Sequence, residues 1–212
     1  MKASNFVKSD PIIVFGTGNR KKGEEMAELF SPIGFTIKTL ADFENSLDVV
    51  EDGTSFAENA RKKATEQAVF LNHWVLAEDS GISVDHLKGA PGIYSARFSG
   101  ENATDELNNT LLLEKLEGVP REKRTAHYTC YMVLSDPKGE IVAESEGICS
   151  GIIRPKLSGN NGFGYDPMFE IPEYHKTFGE LDPIIKKVIS HRARAAIKLI
   201  PVLKKLLANW AK

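Results

Sequence analysis

The chain has 212 residues, 42% hydrophobic and 26% charged, an ordinary balance for a globular protein. Its 27 basic and 29 acidic residues leave a net charge of −2, which excludes the broad basic footprint that holds long nucleic acid but not a local positive site for a small anion. No apolar run approaches the ~18 residues of a membrane span.

The length suits one domain over residues 1–212, as one body or as two lobes sharing a core. Residues 1–10 are polar, with no apolar core segment, so no secretory leader is expected there and the segment is expected to be flexible. Residues 12–15, Ile-Ile-Val-Phe, read as a buried strand between Pro11 and Gly16. Turn chemistry follows at residues 16–19, then helical spacing over 21–30 with Met26, Leu29 and Phe30 on one side. Residues 35–40 alternate as a second strand, and the acidic stretch 41–54 reads as loop.

Ser55, with Glu58 three residues later, predicts a capping box opening a helix over 56–71. Residues 74–77 predict a buried strand ending in Glu78-Asp79-Ser80-Gly81, with 82–84 continuing after a break. A helix is expected over 104–116, with Leu107, Leu111 and Leu112 in the core. A strand over 125–134, a turn at 136–139 and a returning strand over 140–153 form a hairpin. Ser190 caps a last helix that Pro201 should kink or interrupt. Alternating strands and helices followed by a hairpin point to a mixed α/β architecture. Cys130 and Cys149 lie too far apart for a metal knuckle and are expected reduced and buried, which suits the cytoplasm. His73, His86, His127 and His175 fall in no ligand spacing and read as structural or surface residues.

Four segments carry chemistry. Thr17-Gly18-Asn19-Arg20-Lys21-Lys22 joins a strand to a helix, where free N–H groups and the helix dipole favour a phosphate. Lys21 and Lys22 in the first helical turn are disfavoured by that dipole, which a bound anion would offset. The P-loop spacing is absent, and a solvated basic patch is the alternative. Glu78-Asp79-Ser80-Gly81 ends an apolar strand, where α/β sheets place ligands. The repulsion of its adjacent carboxylates could be relieved by a divalent cation, with Glu51 as a further oxygen ligand; a plain polar turn is the other reading.

In residues 161–166, Asn-Gly-Phe-Gly-Tyr-Asp, glycines that permit close backbone approach stand beside rings that can stack on a flat heterocycle. Pro167 biases Asp166 toward an extended conformation. The stretch reads as a nucleobase pocket or as a Gly-rich surface turn. Ser190-His191-Arg192 can cap a helix and offer donors to a base carbonyl, and Lys186 is a candidate phosphate contact; a polar helix start beside a solvated lysine is the alternative.

Together these segments resemble the inosine triphosphate pyrophosphatase family, hydrolases of deaminated purine nucleoside triphosphates. The resemblance spans roughly residues 11–207 and rests on five segments in order: Thr17-Gly18-Asn19 with Lys22; Phe56 with Glu58-Asn59-Ala60; Glu78-Asp79-Ser80-Gly81 running into Gly89-Ala90-Pro91-Gly92-Ile93-Tyr94-Ser95-Ala96-Arg97; Gly162-Phe163-Gly164-Tyr165-Asp166-Pro167; and Ser190-His191-Arg192. It implies an elongated mixed β-sheet with flanking helices and two lobes with an active-site cleft between them.

It also implies a Mg²⁺-dependent, cytoplasmic homodimer. Such a protein converts the triphosphates of inosine, deoxyinosine and xanthosine to monophosphate and pyrophosphate, and binds neither nucleic acid nor membrane. Asp79 then matches the catalytic carboxylate and, with Glu51, the metal ligands. Thr17, Gly18, Asn19, Arg20, Lys21, Lys22, Lys63 and Lys186 match the phosphate side. Ser80, Phe163, Gly164, Tyr165, Asp166, His191 and Arg192 match the substrate and base pocket. Glu78 stands where many bacterial members have Asp, and Lys21 where many have Gly. The competing readings are a pyrophosphatase of modified pyrimidine nucleotides and a non-catalytic nucleotide sensor.

Overall fold

The computed structural model describes residues 12–210; the segment expected to be flexible, residues 1–10, lies outside them. Seven strands form one mixed sheet in the order β2-β1-β3-β4-β5-β6-β7. β1 (Ile12–Phe15) runs parallel to β2 (Thr36–Thr39) and to β3 (Trp74–Val84). Parallel neighbours need crossovers, supplied here by α1 (Arg20–Phe30) and α2 (Phe56–Leu71). The other pairings are antiparallel, from β3 through β4 (Thr125–Ser135), β5 (Ile141–Ile153) and β6 (Phe169–Ile171) to β7 (Lys176–Thr177). The thirteen residues of β5 extend roughly 40 Å at the usual rise per residue, so the sheet is long.

Side chains alternate between faces along a strand. On one face, Leu76 of β3 joins a cluster with Phe15, Met132, Leu134 and the buried sides of α1 and α5 (His191–Trp210). Farther along the same face, Ile82 and Val84 join a second cluster with Tyr128, Phe169, Phe178 and Leu112 of α3 (Asp105–Lys115). On the opposite face, Val75 and Ala77 pack against Ala60, Ala64 and Ala68 of α2. Glu78, Asp79 and Ser80 therefore form a polar belt between the apolar clusters. The start of α5 lies directly on β5: a Cβ on Gly147 would come 2.1 Å from the His191 carbonyl oxygen, so only glycine admits this approach.

Several expectations are corrected. β3 has no break, because residues 75–84 pair without interruption with β4. Pro201 does not interrupt α5, which continues past it; Pro201 and Ile197, whose carbonyl loses its helical donor, are both exposed, so water can take the vacated bond. Leu107 is half exposed and not core, and Leu111 is only partly buried. α3 instead turns Asn108 and Asn109 inward with Leu112, since both amides hold neighbouring loops: Asn108 accepts from Ser99 N–H at 2.8 Å, and Asn109 donates to the Gly164 carbonyl at 3.1 Å. β6, β7 and α4 (Pro183–Ile189), which Asp182 caps through Ile184 N–H, carry no clear periodic signal.

Candidate active site

The alternation of β3 turns its two adjacent carboxylates to opposite faces, Glu78 toward Lys22 and Asp79 toward Lys63, although both still border one wide cavity. Asp79 faces α2. Its Oδ1 accepts from Lys63 Nζ at 3.0 Å and its Oδ2 from Asn59 Nδ2 at 3.3 Å. Burial raises the Asp79 carboxyl above its usual range, and Lys63 offsets this only in part. Lys63 Nζ also lies 3.3 Å from Glu51, which brings the two expected metal ligands to one cation.

Asn59, Lys63 and Gln67 recur every four residues along one side of α2, and this stripe holds the acidic loop. Asn59 accepts from Gly53 N–H at 2.8 Å, while Gln67 accepts from Leu47 N–H at 3.3 Å and donates to the Leu47 carbonyl. Ser55 caps α2 through Glu58 N–H as expected, and the Glu58 carboxylate reaches back to Thr54 N–H at 2.6 Å. Between loop, helix and strand lies a cavity of about 700 Å³, walled by Thr17, Gly18, Asn19, Lys22, Glu51, Lys63, Asp79 and Ser80 among others.

The turn after β1 forms one end of this cavity. Asn19 caps α1 by accepting from Lys22 N–H at 3.1 Å, and Thr17 Oγ1 accepts from Asn19 N–H at 3.2 Å. α1 carries no acidic residue in its first turn, and its three leading cations each find a carboxylate elsewhere. Lys22 reaches Glu78 at 3.1 Å, Lys21 reaches Asp105 at 3.7 Å, and Arg20 turns outward to Glu24 at 2.8 Å.

Glu78 faces α5, where Arg192 meets it with two parallel bonds of 2.9 and 3.0 Å. Cys130 Sγ donates to the same carboxylate at 2.9 Å. Burial would raise the Glu78 carboxyl, but Arg192 and Lys22 outweigh it and hold it well below the usual range. Arg192 also donates to Glu25 at 2.5 Å and to Ser80 Oγ at 3.2 Å. Glu25 binds Lys186 at 2.8 Å, and Lys186 binds Asp166 at 2.7 Å. Burial tends to raise Glu25, yet Arg192 and Lys186 pull it below its ordinary value. Burial keeps Asp166 raised despite Lys186. The result is a buried chain of alternating charge from β3 through α5 and α1 to the Phe163–Asp166 loop.

That loop is closed on itself. Asp166 accepts from Phe163 N–H at 2.9 Å, and its carboxylate lies where a Cβ on Gly162, at φ +77°, would collide at 2.0 Å. Gly164 N–H donates to Asp105 at 2.9 Å, and the buried Tyr165 hydroxyl to the Ser95 carbonyl at 2.8 Å. The Phe163 ring has Lys186 4.7 Å from its centre and Lys21 and Arg192 both at 5.8 Å. A narrower cavity of about 100 Å³ runs here, lined by Phe163, Gly164, Tyr165, Asp166, Lys186, His191 and Arg192, and shares Asn19, Lys22, Ser80 and Ala96 with the wide one.

His191 stacks on Tyr128, with ring centres 4.6 Å apart and planes 8° from parallel. Burial, then Arg192, drive its imidazole well below its usual pKa, so it is neutral. Among the described residues its Nδ1 is buried and finds no hydrogen-bond partner.

The sequence and the fold have known counterparts over most of the chain. The model of the Ham1 family matches residues 13–202. This chain belongs to the Ham1 family. Among its curated relatives, the dITP/XTP pyrophosphatase of Rhodopirellula baltica is 52% identical, with 93% of this chain and 95% of the relative aligned. That of Desulforamulus reducens is 47% identical, over 92% and 96%. The solved Ham1 protein of Staphylococcus aureus superposes with a TM-score of 0.81 at 37% identity, covering 92% of this chain and 99% of its own. The HAM1 protein of Coxiella burnetii gives 0.83 at 36%, with the same coverage.

In this Ham1 chain, Thr17, Gly18, Asn19, Lys22, Glu51, Lys63, Asp79 and Ser80 gather at the wide cavity, and the residues expected around the base gather at the narrow one. Lys186, expected among the phosphate contacts, sits at the narrow cavity. Arg20 lines neither; it is exposed beside Glu24. Lys21 also walls neither, but reaches across to Asp105 beside the narrow one. Sequence reasoning did not single out Glu25, Gln67, Tyr128 or Asn109. A visible signal existed only for Gln67, as the third step of the Asn59–Lys63–Gln67 spacing; Glu25 acts through residues more than 160 positions away.

Proposed function

We propose that this Ham1 protein hydrolyses the triphosphates of deaminated purines, those of inosine, deoxyinosine and xanthosine, to the nucleoside monophosphate and pyrophosphate. The chain is thus a nucleoside triphosphate pyrophosphatase. One observation carries the reading: a wide cavity of carboxylates and lysines and a narrow one of aromatic rings and buried donors meet at Lys22 and Ser80, which suits a triphosphate joined to a base. The relatives' name, dITP/XTP pyrophosphatase, supports it.

Glu51 and Asp79 suit a divalent cation, for which Mg²⁺ is the proposed ion. They converge on a single ammonium, and a hard cation commonly takes one or two carboxylates and completes its shell with water and phosphate oxygens. When bound, it would supply charge neutralisation at the phosphates and acidify a coordinated water. Asp79, with its raised carboxyl, is suited to orient the attacking water and take its proton. Lys22 and the N–H groups at the start of α1 would hold phosphate oxygens and stabilise charge on the departing pyrophosphate.

At the base, Arg192 is clamped by Glu78, Glu25 and Ser80, which use four of its five N–H groups and fix its plane. Arginine and lysine only donate, so a 6-oxo acceptor suits a cavity holding Arg192, Lys186 and Lys22, whereas the 6-amino group of adenine would face donors. Clearing the nucleotide pool in the cytoplasm as a homodimer, with no nucleic-acid partner, completes the reading.

The test is a pyrophosphate-release panel with the triphosphates of inosine, xanthosine, guanosine, adenosine and the pyrimidines, with and without Mg²⁺. Inosine and xanthosine triphosphates should lead and yield monophosphate. Diphosphate and orthophosphate as products would overturn the reaction assigned.

A further inference from the structure

Lys63 is engaged by carboxylates and not held free for a phosphate. Its ammonium does not project freely into the wide cavity; it is 13% exposed and bridges Asp79 at 3.0 Å and Glu51 at 3.3 Å. The acidic loop does not need this bridge. Asn59 ties Gly53, Gln67 ties Leu47, Glu58 ties Thr54, and Lys62 binds Asp52 at 2.7 Å. Asn59 also holds Asp79 by itself. Among these contacts Lys63 is therefore the piece that can leave without releasing the loop, while its charge lies against both carboxylates that a divalent cation would need.

We propose that Lys63 is the resident counter-ion of the metal site: it neutralises Glu51 and Asp79 when no divalent cation is bound, must give up both to admit one, and then turns its long, flexible stem toward the substrate's phosphates. The proposal rests on the reading of Glu51 and Asp79 as metal ligands. Its physical basis is simple repulsion. Two like charges within a few ångströms in a partly buried site oppose each other by several-fold to many-fold in affinity, even at a high effective dielectric. Lys63 would thus make binding of the cation alone weak and favour its arrival with phosphate oxygens, which also give the displaced ammonium a partner.

The test is Mn²⁺ binding without nucleotide, followed by electron paramagnetic resonance of the free ion. It compares the wild type with Lys63→Met, Lys63→Gln, Arg20→Gln and Asp79→Asn. Met keeps the apolar stem of Lys63 and Gln keeps some polarity, so a packing fault in one variant is exposed by the other; melting temperatures report whether both fold. Both neutral variants should bind Mn²⁺ at least about tenfold more tightly than wild type, while Arg20→Gln, which removes an exposed charge outside both cavities, should match wild type. Neutral variants that bind no more tightly, in a protein whose Mn²⁺ binding is lost in Asp79→Asn, would overturn the counter-ion role and leave the metal site standing. Wild-type binding indifferent to Asp79→Asn would overturn the metal reading itself, and the proposal with it.

Discussion

Glu78 and Asp79 are neighbours on one strand with the same functional group, yet their surroundings drive them in opposite directions. Glu78 meets the full fork of Arg192, the ammonium of Lys22 and the thiol of Cys130, and its carboxyl is held well below the usual range. Asp79 meets one ammonium and one side-chain amide beside a cavity of about 700 Å³, and its carboxyl is raised. A buried carboxylate with every oxygen committed is a fixture: it orients Arg192 and anchors α5 to β3. A carboxylate with a single displaceable cation and a raised proton affinity is equipped to exchange partners. The pleat of the strand, not the residue type, assigns these roles.

The largest expected effect breaks the fixed side. Glu78→Ala leaves Arg192 buried and half paired, and removing one partner of such a pair costs about 3–5 kcal/mol. Denaturant titration should show that loss; a change below ~1 kcal/mol would mean Glu78 is not the lock described. On the other face, Asp79→Asn should lower kcat at least ~10²-fold, the scale of one general-base or electrostatic contribution. Its stability should stay within ~1 kcal/mol of wild type, since the amide keeps the shape and Asn59 can still bond to it. If both variants lose stability alike, the contrast between the faces fails.

Arg192→Lys keeps the charge beside Glu78 and removes the planar fork. It should lower kcat/KM for inosine triphosphate about ten- to a hundred-fold, the worth of a charged hydrogen bond of ~1.5–3 kcal/mol, and lower the weak adenosine triphosphate reaction far less. Equal proportional losses would assign Arg192 to the fold or the phosphates rather than to the base.

A smaller effect is set by pH. Buried His191 stays neutral in the folded chain, while in the unfolded chain it takes a proton below pH ~6.5. Stability should therefore fall as pH drops below ~6.5, by about 1.4 kcal/mol per pH unit for this one proton. His191→Phe, which keeps a ring on Tyr128, should flatten that slope in melting curves taken as the pH is lowered from ~6.5. Glu78 acts in a lower window: its depressed carboxyl stabilises the fold above the unfolded value of ~4.3, and that contribution is lost in stronger acid. The smallest effect is at Arg20, whose exposed pair with Glu24 is worth little; Arg20→Gln should leave kcat/KM within about twofold.

Local patterns were legible where one short segment holds the physics. The four apolar residues of β1, the Ser55 cap of α2, the turn at 136–139 and the Ser190 cap of α5 all depend on neighbours within a few positions, and all form as read. Composition and periodicity thus determined a mixed α/β sheet, and the ordered motifs determined the family. Tertiary structure decided the rest, because the deciding partners lie far away in sequence. Leu107 faces water because Asn109 is needed at Gly164, and Glu25 matters because Lys186 and Arg192 converge on it across more than 160 residues. Glu78 and Asp79 look equivalent in a tetrapeptide; only the helices covering each face of the sheet, α5 with Arg192 and α2 with Lys63, make one a fixture and leave the other free to react.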